Sequence, residues 1–105
     1  MGLDMYIEAR RNIGTPQEEC IEKLYWRKFF GLQDMLIQKL DLEAHDGCIK
    51  NTLLTKEDAE SILDYCCHNR DYFGEFSRIP DICEWIEQWD EWTSQGWSFW
   101  YNANW

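Results

Sequence analysis

Trp97-Ser98-Phe99-Trp100-Tyr101-Asn102-Ala103-Asn104-Trp105 closes the chain in strict alternation, with Trp97, Phe99, Tyr101, Ala103 and Trp105 on one side and Ser98, Trp100, Asn102 and Asn104 on the other. A period of two is the pattern of a half-buried strand. At the opposite end Leu3, Met5 and Ile7 alternate with Asp4, Tyr6 and Glu8, so strands stand at both termini. Helical patterns fill the space between them. That order predicts an α+β fold: a small antiparallel sheet in which the two terminal strands are neighbours, packed with about three helices. A chain of 105 residues makes this a single domain, 1–105, large enough for one core.

Arg10-Arg11-Asn12-Ile13-Gly14 reads as a turn, and Thr15-Pro16-Gln17-Glu18 combines a capping Thr, a Pro at the first helical position and a Glu at the third. These signals predict a long helix running to about Leu40. Its stripe would be Ile21, Leu24, Tyr25, Phe29, Leu32, Met35, Leu36 and Leu40, spaced by threes and fours, and Gly31 in its middle predicts a kink or a close helix crossing. Cys48 to Leu54 reads as a short extended piece. Thr55 caps a second helix to about His68, with Ala59, Ile62, Leu63 and Cys66 inward and Glu57, Asp58, Glu60 and Asp64 outward. Tyr72-Phe73-Gly74-Glu75-Phe76 reads as a loop or tight hairpin. Pro80 opens a third helix, stopped by Gly96, with Ile82, Trp85, Ile86, Trp89 and Trp92 in one stripe and Glu84, Glu87 and Glu91 opposite.

Charge is unevenly placed along this chain of net charge -10. Residues 1–50 carry nine acids and seven bases, whereas residues 51–105 carry eleven acids and three bases. From Ile79 onward there are six of the seven tryptophans, five acids and no Lys or Arg. Such a surface repels phosphate and attracts basic partners, and indoles are frequent anchors at protein interfaces. Trp100 is the exception among the aromatics of the last strand, since it faces away from Trp97, Phe99 and Tyr101; either helices cover both faces of the sheet or Trp100 is exposed for binding.

Chemistry-bearing motifs are scarce. The chain contains no GxxxxGK[ST], GxGxxG, GxSxG or HExxH, so nucleotide-dependent and common hydrolytic chemistries have no support. Cys66-Cys67-His68 and Asp41-x-Glu43-x-His45 hold metal-ligand atoms without a second matching pair, and a cysteine nucleophile using His45 as base would lack an oxyanion-type Gly-rich turn. No catalytic residue, metal or cofactor is assigned. Cys20, Cys48, Cys66, Cys67 and Cys83 form no CxxC motif and read as buried small hydrophobes in a reducing compartment. No segment approaches the run of about 18 apolar residues that spans a bilayer, and no basic leader opens the chain, so a cytoplasmic protein with no membrane partner is expected. Arg10-Arg11 and Arg27-Lys28, the latter beside Trp26, are too few cations against twenty acids for direct nucleic-acid binding.

Met1-Gly2-Leu3-Asp4-Met5-Tyr6, Tyr25-Trp26-Arg27-Lys28 and the closing aromatic strand together resemble a group of small proteins of bacteriophages and prophages, which open on the same hexapeptide, carry a YWRK segment and end in Trp. This chain departs from the group after Lys28, where Phe29-Phe30-Gly31-Leu32 stands in place of a polar Asn and His. The resemblance implies a phage context and no mechanism. Small acidic phage proteins often inhibit host machinery, and anti-CRISPR proteins that imitate the charge of nucleic acid are among them.

Three readings follow. In the first, a non-enzymatic phage inhibitor binds a host defence protein in the bacterial cytoplasm, most concretely a CRISPR effector. It would occupy a basic nucleic-acid groove with Glu57, Asp58, Glu60, Asp64, Glu84, Glu87 and Glu91 in place of phosphates, and Trp100 as a specificity anchor. In the second, Asp4, Tyr6, Tyr25, Trp26, Arg27 and Lys28 line a pocket for an anionic small molecule, held by stacking and a guanidinium fork. In the third, a phage assembly factor forms a homodimer through its Trp-rich end.

Overall fold

Leu3, Met5, Ile7 and Ala9 are sealed from solvent while the residues between them stay half-exposed, which makes Asp4–Arg11 (β1) the strand its alternation predicts. The computed structural model describes residues 2–42, 47–69 and 78–105. Its further elements are β2 Glu19–Arg27, α1 Phe30–Leu40, β3 Cys48–Leu53, α2 Lys56–His68, α3 Ile79–Glu87, α4 Trp89–Ser94 and β4 Ser98–Asn104. The four strands form one antiparallel sheet in the order β2-β1-β4-β3. The terminal strands pair at its centre, from Asp4 opposite Asn104 to Arg10 opposite Ser98. The fold is α+β, as the sequence predicts. The expected loop over residues 72–76 and the ligand atoms of Glu43 and His45 lie outside the described residues.

The predicted helix over 15–40 is corrected. Its first half is a strand, β2, and only Phe30–Leu40 is helical. Thr15 does organise the chain, but as a turn: its hydroxyl donates to the Asn12 carbonyl at 2.7 Å and accepts from the Gln17 amide at 3.2 Å. Asn12 and Gly14 take positive φ there, 55° and 80°, and reverse the chain into a hairpin. A β-bulge between Leu24 and Glu22 of β2 leaves Lys23 without a partner on β1. The bulge puts Ile21 and Leu24, three apart, on the same side of the sheet, which imitates a helical stripe, but only Leu24 is buried and Ile21, expected inward, is 44% exposed.

Gly31 falls in the first turn of α1, and it marks a close helix crossing without a mid-helix kink. A Cβ at this position would strike the Tyr65 hydroxyl of α2. The third predicted helix is divided at Gln88, which ends α3 and begins α4. Ile82, Trp85 and Trp89 still point inward, while Ile86 and Trp92 are only half-buried.

The four described helices join one hydrophobic core on a single face of the sheet. Phe99 is its hub on β4: the rings of Trp89 and Trp85 lie 4.5 and 5.6 Å from it, the latter edge-on. Tyr101, also on the inner side, donates its hydroxyl to Gln33 of α1 at 3.0 Å, satisfying both buried groups. At the rim Lys23 stands 4.1 Å over the Trp92 ring and Arg11 stands 4.5 Å over Trp97. Among the described residues no helix is long and apolar enough to cross a membrane.

Candidate functional site

The sheet divides the molecule into two unlike surfaces. On the helix side, Glu57, Glu60 and Asp64 recur at helical spacing along the exposed face of α2, and α2 packs against α3, which exposes Glu84 and Glu87; Asp90 and Glu91 continue the row on α4. Glu57 meets Lys39 at 3.9 Å, Asp90 meets Lys56 at 3.4 Å, and Asp64 meets His68 at 3.4 Å. Pairs this exposed contribute about 0–1 kcal/mol and leave most of the carboxylate field in place. Among the described residues, Glu60, Glu84, Glu87 and Glu91 have no cation within ion-pair distance.

Two members of the predicted partner-binding set do not belong to this face. Asp58 is only 7% exposed and forms a capping box: its carboxylate accepts from the Thr55 amide at 2.8 Å while the Thr55 hydroxyl accepts from the Asp58 amide at 3.2 Å. Trp100 sits on the opposite side of the sheet from the helices, because its neighbours Phe99 and Tyr101 face them. A partner resting on the acidic helices cannot use Trp100 through the same contact.

The outer sheet face gathers Asp4, Tyr6, Tyr25 and Arg27, four of the six predicted ligand-binding residues, at one corner. Asp4 lies opposite Arg27 and Tyr6 opposite Tyr25. The two tyrosine rings are 5.1 Å apart at 41°, and the Tyr25 hydroxyl donates to Asp4 at 2.5 Å, which raises the Tyr25 phenol above its ordinary pKa. Trp26 points the other way and is 1% exposed in the core, and Lys28 lies beyond the strand at φ 59°. The YWRK segment is therefore split between two sides of the sheet and does not line one pocket.

Further along this face Arg10 donates to Glu8 through Nη2 and Nε, at 2.7 and 3.1 Å, and to Asn51 Oδ1 at 2.7 Å. Its guanidinium lies 5.5 Å from the Trp100 ring centroid. Trp100 donates Nε1–H to Ser98 Oγ at 2.8 Å, and the Cys20 thiol reaches Glu8 at 3.3 Å. Partial burial first, and the Glu8 carboxylate second, push that thiol's pKa up. The sequence analysis gives Glu8, Arg10, Asn51 and Leu53 no place in a site. The same alternation that exposed Trp100 places Glu8 and Arg10 on its side.

A third feature is an open groove of about 630 Å³ between α1 and α2, bordered by Met35, Lys39, Ser61, Tyr65 and His68 among others. Two of its polar groups are engaged with the backbone: Ser61 donates to the Glu57 carbonyl at 3.1 Å, and His68 Nδ1 lies 2.7 Å from the Asp64 carbonyl. In the neighbouring Cys66-Cys67-His68 run only Cys66 is inside, and burial pushes its thiol up to about 12. The expectation of five buried cysteines is corrected, since Cys20 and Cys67 are exposed and Cys48 and Cys83 are half-exposed. No group of three or more His, Cys, Asp or Glu able to hold a metal occurs among the described residues. Compared with protein-family models, curated proteins and solved structures, the chain matches none.

Proposed function

We propose that this protein is a non-enzymatic inhibitor of the phage type, acting in the host bacterial cytoplasm on a basic nucleic-acid-binding defence effector such as a CRISPR nuclease. The observation that carries the reading is the set of carboxylates on α2, α3 and α4 that no described cation neutralises, Glu60, Glu84, Glu87 and Glu91, joined by the weakly paired Glu57 and Asp64. Exposed side by side on packed helices, they supply a repeated negative field of the kind a phosphate backbone offers to a basic groove. The long-range field accelerates encounter, and affinity comes from the few groups desolvated at contact. Asp58 stays in its cap and takes no part.

The test is displacement of labelled nucleic acid from purified CRISPR effectors. Wild-type protein is expected to displace it, with an association rate that falls steeply as salt shortens the reach of exposed charges below about 8–10 Å. The combined variant Glu84→Lys, Glu87→Lys, Glu91→Lys should lose displacement at an unchanged melting temperature. Full displacement by that folded variant would sink the proposal.

A further inference from the structure

We propose that the outer face of the sheet is a self-association surface, on which a second copy of the chain packs face to face. No described helix covers this face, yet large rings stand among its polar groups. Tyr6, Tyr25 and Trp100 are half-buried across three adjacent strands, and Leu53, beside Trp100 on β3, is 55% exposed. An aromatic and aliphatic patch rimmed by polar groups is the mark of a protein contact.

Most of the polar atoms around these rings are satisfied within the face; Asn102 Nδ2 is a buried, unpartnered exception that is already out of water. The Tyr25 hydroxyl is bound to Asp4, the Trp100 indole to Ser98, and the Arg10 fork to Glu8 and Asn51. A small polar ligand would find few free donors or acceptors there. An apolar protein face could cover it without stranding any of these groups, because each keeps its partner when water is removed.

Charge selects a second copy as the occupant. On this face β1 and β2 present three acids (Asp4, Glu8, Glu22) and two cations (Arg10, Arg27), a net charge of -1 out of the chain's -10. It is the near-neutral side of an acidic molecule. Stacked sheets stand about 10 Å apart, and a helix layer adds about as much again on either side. A face-to-face pair therefore carries its two acidic helix rows on opposite outer surfaces, separated by far more than the Debye length of about 8 Å.

Sedimentation velocity on the full chain over a concentration series tests this. The expected result is a monomer–dimer equilibrium that strengthens as salt is raised from about 10 mM, where the Debye length is about 30 Å and the two acidic bodies still repel, to physiological strength. Binding to a basic effector should weaken under the same change, so the two proposals fail separately. Trp100→Glu should raise the dimer Kd by about tenfold or more, and so should Leu53→Glu, whose exposed position makes loss of the fold no explanation. Glu87→Lys, on the helix side, should leave the dimer intact. A wild-type chain that stays monomeric throughout, or a dimer indifferent to both glutamate substitutions, overturns the proposal. So does a monomer whose effector binding is lost with Trp100→Glu, since the face would then belong to the effector.

Discussion

On the helix side of this protein carboxylates are left facing water with few cations near them; on the sheet side almost every polar atom near the aromatics is bound to a neighbour in the same face. Glu84, Glu87 and Glu91 have no described cation beside them, whereas Arg10 alone is held by Glu8, Asn51 and contact with Trp100. Unpaired charge acts at a distance and tolerates imprecise docking, so it suits steering. Internally paired polar groups act at contact, where they free the rings around them to be covered. One small domain can thus keep two kinds of recognition on opposite sides of four strands.

The sharpest way to break this comparison uses two adjacent residues of β4. Phe99→Ala removes the hub of the indole cluster and should cost about 3–5 kcal/mol in urea unfolding, while Trp100→Ala should cost no more than about 1 kcal/mol, the scale of its contact with Arg10. Equal losses would mean that both faces are packed. Next in size is Gly47→Ala: φ there is +74°, and a Cβ would lie 2.8 Å from the Trp105 carbonyl oxygen, so the substitution should cost about 1–3 kcal/mol in the same measurement. Asp58→Ala should cost about 1 kcal/mol through loss of the capping box, while Glu60→Ala two residues later changes stability negligibly and weakens effector binding. The last effect vanishes at neutral pH. Burial, and then Cys67, push the Cys66 thiol from 9.0 up to about 12, and burial pushes the Tyr101 phenol up as well. Both groups are uncharged in the native state and ionise more readily in the unfolded chain, so their contribution is complete below pH 9.0 and is lost as pH rises toward about 12. The urea midpoint should stay level through neutral pH and fall in alkali, and Cys66→Ala should flatten part of that fall.

Where a single periodicity governs, the chain was legible. β1 and β4 follow from alternation alone, and α2 from Thr55 followed by a run of outward acids. β2 was misread because two local signals agreed on the wrong answer. Thr15-Pro16-Gln17-Glu18 has the composition of a helix start and serves as a hairpin turn, and the bulge at Lys23 restores a spacing of three to a strand. The adjacent bulky pair Tyr25-Trp26 was the contrary signal, since its two side chains lie on opposite sides of the sheet. Asp58 and Trp100 entered the predicted binding set for a related reason. Sequence spacing put Asp58 among outward acids without revealing that its carboxylate reaches back to Thr55, and it could not say which side of the sheet the acidic helices occupy. Only the three-dimensional arrangement separates a solvated acid from a capping one.

Both border strands of the sheet are interrupted: β2 by the bulge at Lys23, and β3 by the irregularity between Ile49 and Thr52, where Asn51 takes φ 55°. A disturbed rim is a poor template for another chain, because the row of amides and carbonyls that an incoming strand must match is broken partway along. The molecule can therefore keep an aromatic-rich sheet at high concentration without seeding fibrils, and growth of the sheet by strand addition should stay suppressed until a substitution straightens one of these two rims.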